Sequence, residues 1–304
     1  MRKELKIMFH KGATAVAASK SGGYFVAVKR EGIFHYSVEG GWQQLFKLKH
    51  KIHAISYIGP YLFGVGENGT VIRSGDEGHT WALSSFPTNA VVWSITGRKD
   101  GFVCAHGKHS IYVSTDFGIS WEIMKPFAHV NHPPVIRSLC VAGDYLYIGT
   151  QIHEVHGGIW VYDFQSEQVF LLNREEHRMT ASMLLCGEHL LVCALGSKKG
   201  KRGSVQILDL HTNMLHDIQS QAFAREESFL DVSEDNGIVY VTTSQDEHGF
   251  SKVYQLDIVQ KELKWFDTIK GHGFRVANQK ENFFCAGLYE SKFVRPYEEP
   301  ALIH

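Results

Sequence analysis

One pattern occurs twice and constrains everything else in the chain. Ser74-Gly75-Asp76-Glu77-Gly78-His79-Thr80-Trp81 returns as Ser114-Thr115-Asp116-Phe117-Gly118-Ile119-Ser120-Trp121. From Asp76 to Asp116 is 40 residues, and both copies read Ser-x-Asp-x-Gly-x-(Thr/Ser)-Trp. The pattern describes a turn: a carboxylate bonds the N–H groups of its own loop, and glycine supplies a residue with positive φ. The tryptophan then opens the next strand and offers a large apolar face to a neighbouring unit.

A period near 40 residues points to a propeller or a solenoid. The rest of the chain alternates polar and apolar positions, with turn residues every eight to twelve positions. Four strands per unit follow. The innermost are expected at Ala13–Ala18, Ile52–Ile58, Val91–Thr96, Val135–Val141, Thr180–Leu185, Phe229–Ser233 and Phe274–Asn278. Ser37-Val38-Glu39-Gly40-Gly41-Trp42 reads as a degraded copy of the turn. Later units replace it with Tyr162-Asp163, Leu208-Asp209 and Leu256-Asp257, where aspartate again sits at the reversal. The last unit lacks a fourth strand, and Glu4–Phe9 is left over at the other end. Pairing it beside Lys292–Arg295 would remove both edges. The expectation is an all-β, seven-bladed propeller of four-stranded blades, one domain over residues 1–304, with the N-terminal strand closing the last blade.

The two Ser-x-Asp-x-Gly-x-(Thr/Ser)-Trp stretches resemble the Asp-box (BNR) repeat of sialidase-like and photosystem-assembly-factor-like β-propellers. The resemblance implies a fold. A sialidase would also need three arginines on a carboxylate, a Tyr–Glu nucleophile pair and an early Arg-Ile-Pro-type segment. The chain is short for that family and lacks that segment, so sialidase activity is set aside. The assembly-factor resemblance implies a binding propeller with a basic patch, for which the only cluster is Lys198-Lys199-Gly200-Lys201-Arg202.

Composition narrows the function classes. A net charge of -1 supplies no field to recruit nucleic acid or an acidic membrane. No run approaches the length of a membrane-spanning helix, and Met1–Phe9 is too charged for a signal peptide. Five cysteines lie in apolar runs, which suits reduced thiols and a cytoplasmic protein.

Histidine is the anomaly, with 18 residues. Ten fall in loops on one expected face: His50, His106, His109, His129, His132, His153, His156, His177, His248 and His272. With loop carboxylates such as Glu67, Glu175, Glu227 and Glu290 they form a ligand set for Zn, Mn, Fe or Ni. Solvated loop histidines are the plainer reading. Aligning each innermost strand on its following turn puts Thr14, His53, Trp93, Arg137, Ala181 and Arg275 at one level facing the axis. Blade six is open between Phe229 and Leu230, and Arg178 lies just before its strand. Arginines around one funnel suit a carboxylate or phosphate.

The expected function is therefore a small-molecule hydrolase or lyase, metal-dependent or not, acting on an anionic substrate in a His/Arg-rich funnel. His53, His177 and Arg137 would be catalytic. Arg137, Arg275, Trp93 and Arg178 would bind substrate. His53, His132, His177 and His272 would hold a divalent transition metal. The alternative is a non-catalytic interaction or assembly propeller with a protein partner, which predicts an exposed apolar patch in place of a deep polar funnel.

Overall fold

The computed structural model describes residues 12–197, 202–218, 228–270, 273–279, 282–286 and 302–303. Six sheets have four antiparallel strands each, hydrogen-bonded in simple chain order. Their inner strands are Ala13–Ala18, Ile52–Ile58, Ser94–Gly97, Ile136–Ala142, Arg178–Cys186 and Phe229–Asp235. Successive inner strands lie side by side. This is a β-propeller.

The blade count corrects the sequence expectation. Seven four-stranded blades were expected, and the structure has six. Between blade six and blade one stands a three-stranded sheet of Arg275–Gln279, Asn282–Ala286 and Leu302–Ile303. Its inner strand touches both neighbours, so it fills the gap in the ring. The third strand is Leu302–Ile303, where Lys292–Arg295 was expected. The expected partners Glu4–Phe9 and Lys292–Arg295 lie outside the described residues. The physical reason is that ring closure pairs segments far apart in sequence. No local turn motif records which segments they are.

The turns behave as their residues dictate. Ser74 Oγ accepts from Gly78 N–H at 2.8 Å and donates to Asp76 Oδ1 at 2.9 Å. Asp76 in turn receives Thr80 N–H at 2.8 Å and the Thr80 hydroxyl at 2.6 Å. The second copy repeats this, with Gly118 N–H on Ser114 Oγ at 2.8 Å and the Ser120 hydroxyl on Asp116 at 2.6 Å. Hydrogen bonds from the Thr80 hydroxyl and N–H hold Asp76 at about 2. Burial alone would raise Asp116, but the Ser120, Ser114 and Ile119 bonds outweigh it and hold it at about 2 as well. Glycine is required at 78 and 118. Both have positive φ (82° and 73°), and a Cβ would meet Leu45 or Trp121 under 3.0 Å away.

Each tryptophan then packs on the preceding blade. Trp81 lies 5.9 Å from Phe46 and Trp121 4.5 Å from Phe86, between ring centroids. The looser turns do the same job with fewer bonds. Asp163 accepts from Gln165 N–H, Asp209 from His211 N–H, and Asp257 from Gln260 N–H, at 2.8 to 2.9 Å.

The core lies between blades. One cluster joins Phe63, Val65, Phe86, Val92 and Tyr112 across blades two and three. Cys104, Cys140, Cys186 and Cys193 are free and buried, and burial pushes the Cys140 and Cys186 thiols up to about 12. Among the described residues no helix is long and apolar enough to cross a membrane.

Candidate functional site at the axial mouth

Five inner strands carry the same irregularity at the same level. Their register breaks between Ala13 and Ala15, Ile52 and Ala54, Ile136 and Ser138, Thr180 and Ser182, and Phe229 and Asp231. The bulged residues are Thr14, His53, Arg137, Ala181 and Leu230. A bulge adds a residue and re-aims its side chain. Four of these coincide with the level aligned from sequence, and Leu230 resolves blade six. Arg275 opens its strand opposite Ala286. Trp93 precedes its strand and donates its N–H to His106 O at 2.9 Å.

Arg137, Arg275 and Asp231 line one cavity of about 350 Å³ on the axis. Asp231 is a junction between blades. It accepts from Ser182 Oγ at 2.8 Å and from Val276 N–H at 2.9 Å, and it lies 3.5 Å from Arg275 Nη1. Burial pushes its carboxyl up, opposed by Arg275 and these hydrogen bonds. Arg275 also donates Nη2–H to Trp93 O at 3.4 Å.

Arg137 is different. Among the described residues it has no ion pair, and its Nε–H is buried without a partner, as is that of Arg275. Its guanidinium rests against the Phe274 ring at 5.1 Å, with Arg275 on the same ring at 4.8 Å. Burial, then the charge of Arg275, lowers Arg137 to about 10, with Asp231 pulling the other way.

Two imidazoles complete the mouth. His53 lies 4.4 Å from the Trp93 ring and is lowered to about 3 by burial, Lys51 and Arg275. His106 is fully buried and lowered to about 4, by burial first, with Arg137 and Arg275 adding to it. Its Nδ1 donates to Gly107 O at 2.9 Å, and Nε2 is buried beside the Arg137 backbone without a hydrogen bond of normal geometry. Both rings are neutral at pH 7. The mouth thus sets two guanidinium charges against one carboxylate.

The other residues singled out from sequence lie elsewhere. Arg178 is not in the cavity wall. It is paired with Glu175 at 2.6 and 2.9 Å and with Asp217 at 2.8 Å, and it also bonds the Ser204 hydroxyl. Gln206 Nε2 joins this network by donating to Glu175 at 2.7 Å. His132 and His177 are exposed on loops. His50 bonds the Thr70 hydroxyl at 2.7 Å, and His153 Nδ1 accepts from His156 N–H at 3.0 Å. His272, Glu227, Glu290 and Lys198 to Lys201 fall outside the described residues. Among the described residues no three His, Cys, Asp or Glu side chains gather in a metal-binding group. The structure does not bring His53, His132 and His177 together, so their arrangement does not fit one metal ion.

The sequence pattern did not single out Asp231, Phe274 or Ser182. The serines at 138 and 182, each one residue past the aligned level, were the available sign.

A curated relative matches nearly the whole chain. It is 68% identical over 297 residues, covering 98% of this chain and 100% of the relative, and is described as "Uncharacterized protein YkuO" of Bacillus subtilis (strain 168). The chain belongs to the YkuO family. No protein-family model matches it. Solved propellers share the architecture of this YkuO-family chain at low identity. The RRP9 WD40 repeats superpose with a TM-score of 0.69 at 12% identity, covering 97% of this chain and 94% of theirs. YCF48 from Cyanidioschyzon merolae superposes at 0.67 with 14% identity, covering 92% and 94%. These likenesses show the fold alone.

Proposed function

We propose that this propeller binds a small anion at its axial mouth, with Arg137 and Arg275 as the receiving cations. The observation that carries the reading is Arg137, a guanidinium with a buried, unpartnered Nε–H in the wall of a cavity. A buried donor left unmade costs about 1–3 kcal/mol. A carboxylate or phosphate bridging the two guanidiniums would balance the excess charge in the cavity. Trp93 holds Arg275 through its carbonyl oxygen, and the His53 ring packs on the Trp93 ring beside it.

Asp231 is committed to Val276, Ser182 and Arg275, which leaves the two guanidiniums as the charged groups of the mouth free to meet a ligand. The paired turns at Asp76 and Asp116 support kinship with Asp-box propellers, which bears on the fold. The interaction alternative looks to the rim. There the exposed apolar side chains Leu83, Ile123, Phe170, Met214 and Trp265 are distributed over the outer strands of five different blades. That spread favours the axis over the rim.

Isothermal titration of the full chain with propionate and with inorganic phosphate tests the proposal. Saturable binding that weakens at least tenfold in both Arg137→Gln and Arg275→Gln is expected. Equal heats in all three proteins would overturn it.

A further inference from the structure

Below the arginines the cavity is layered. Reading each inner strand down from the bulge level, the next wall residues are Ala54, Ser94, Ser138, Ser182 and Asp231, with Val276 of the closing sheet beside them. One residue further stand Val16, Ile55, Ile95, Leu139, Met183 and Val232, one from each of the six blades. All six are apolar, and each keeps a sliver of surface open, between 5% and 9% of its area. Deeper still come the hydroxyls of Ser56, Thr96 and Ser233 with Leu184 at the same level, and then Glu234. An apolar collar of residues packed chiefly between blades therefore borders the channel on six of its seven sides, two residues below the guanidiniums, about 7 Å along the strands.

We propose that the ligand is an amphiphilic monocarboxylate, with its carboxylate at Arg137 and Arg275 and its hydrocarbon chain threaded into the collar. The inference rests on the anion reading above and narrows it to a chemical class. Inorganic phosphate satisfies the arginines and leaves the collar unfilled. A hydrocarbon chain at the collar leaves the solvent. The charge count at the mouth, two guanidiniums to one carboxylate, matches a monoanion. At the far end Glu234 meets any second carboxylate with like charge, so a dicarboxylate of equal length is disfavoured. The distance to the collar sets the chain at roughly five to eight carbons.

The test is calorimetric titration of the full chain with propionate, hexanoate, octanoate, adipate and inorganic phosphate. Affinity is expected to rise roughly fourfold per methylene until the collar is filled. Adipate is expected to bind at least tenfold more weakly than hexanoate. Leu139→Glu is expected to cancel the rise with chain length. Should that variant not fold, Val232→Thr, close in shape, is expected to weaken hexanoate at least threefold while leaving propionate unchanged. Equal affinity for propionate and octanoate, with both lost in Arg137→Gln, overturns the collar and leaves the anion site standing. No binding of any acid or of phosphate overturns both.

Discussion

The two faces of the propeller treat charge in opposite ways. On the turn face Asp76, Asp116, Asp163, Asp209 and Asp257 each accept hydrogen bonds from the loop that carries them. Every such carboxylate is satisfied within a few residues of itself. At the axial mouth the charges come from strands far apart in sequence, and the count does not close. Asp231 serves three partners while Arg137 has none among the described residues. Polar groups satisfied locally build the fold. The group left unsatisfied in a cavity is where a ligand has something to gain.

The comparison breaks most sharply at Asp231. Asp231→Ala removes the acceptor for Val276 N–H and Ser182 and leaves two partly buried guanidiniums without a counter-charge. Urea denaturation is expected to show a loss of about 3–5 kcal/mol. Asp231→Asn, which keeps an acceptor, is expected to lose less.

The opposite sign is expected at Arg137. Arg137→Met removes a partly buried, unpaired charge and keeps a side chain to rest on Phe274. The unliganded protein is expected to gain about 1–2 kcal/mol in the same assay. A destabilised variant would mean that Arg137 holds the fold together as the turn aspartates do.

Acid sharpens the contrast further. The folded-state values of His53 and His106, about 3 and about 4, lie below the unfolded value of 6.5. The unfolded chain therefore takes up protons first as pH falls, and stability drops. The loss begins below pH 6.5 and continues towards pH 4, at up to about 1.4 kcal/mol per pH unit for each ring. The turn aspartates, held near 2, bring their own loss only below the unfolded carboxylate value near 4. His106→Gln is expected to flatten the upper window and leave the lower one unchanged, as read from melts at a series of pH values.

The smallest effect is expected on the turn face itself. Ser114→Ala removes the acceptor for Gly118 N–H and the donor to Asp116. A cost of about 1 kcal/mol is expected, with anion binding unaltered.

These differences also explain what the sequence disclosed. The Asp76 and Asp116 turns were legible because all their partners lie within one loop. The strands were legible because one face of each is buried, which writes a period of two into the chain. The level of Thr14, His53 and Arg137 emerged because each inner strand ends in a turn that fixes the count back to the axis. Closure was not legible. The pairing of Asn282–Ala286 with Leu302–Ile303 depends on where the chain returns after a long connection, which no pattern encodes. Nor could the loop histidines be sorted. His132 and His177 face solvent while His53 and His106 are buried, and a shift of one residue in a strand would exchange such fates.

The central claim is that Arg137 is held unpaired to receive an anion. The most direct measurement is a thermal melt of wild type and Arg137→Met, each with and without excess hexanoate. Ligand that binds the native state raises the melting temperature through mass action. The account expects wild type to rise with hexanoate, and Arg137→Met to start higher and stay there. A wild-type melt indifferent to hexanoate and to inorganic phosphate, or an equal rise in both proteins, would contradict it.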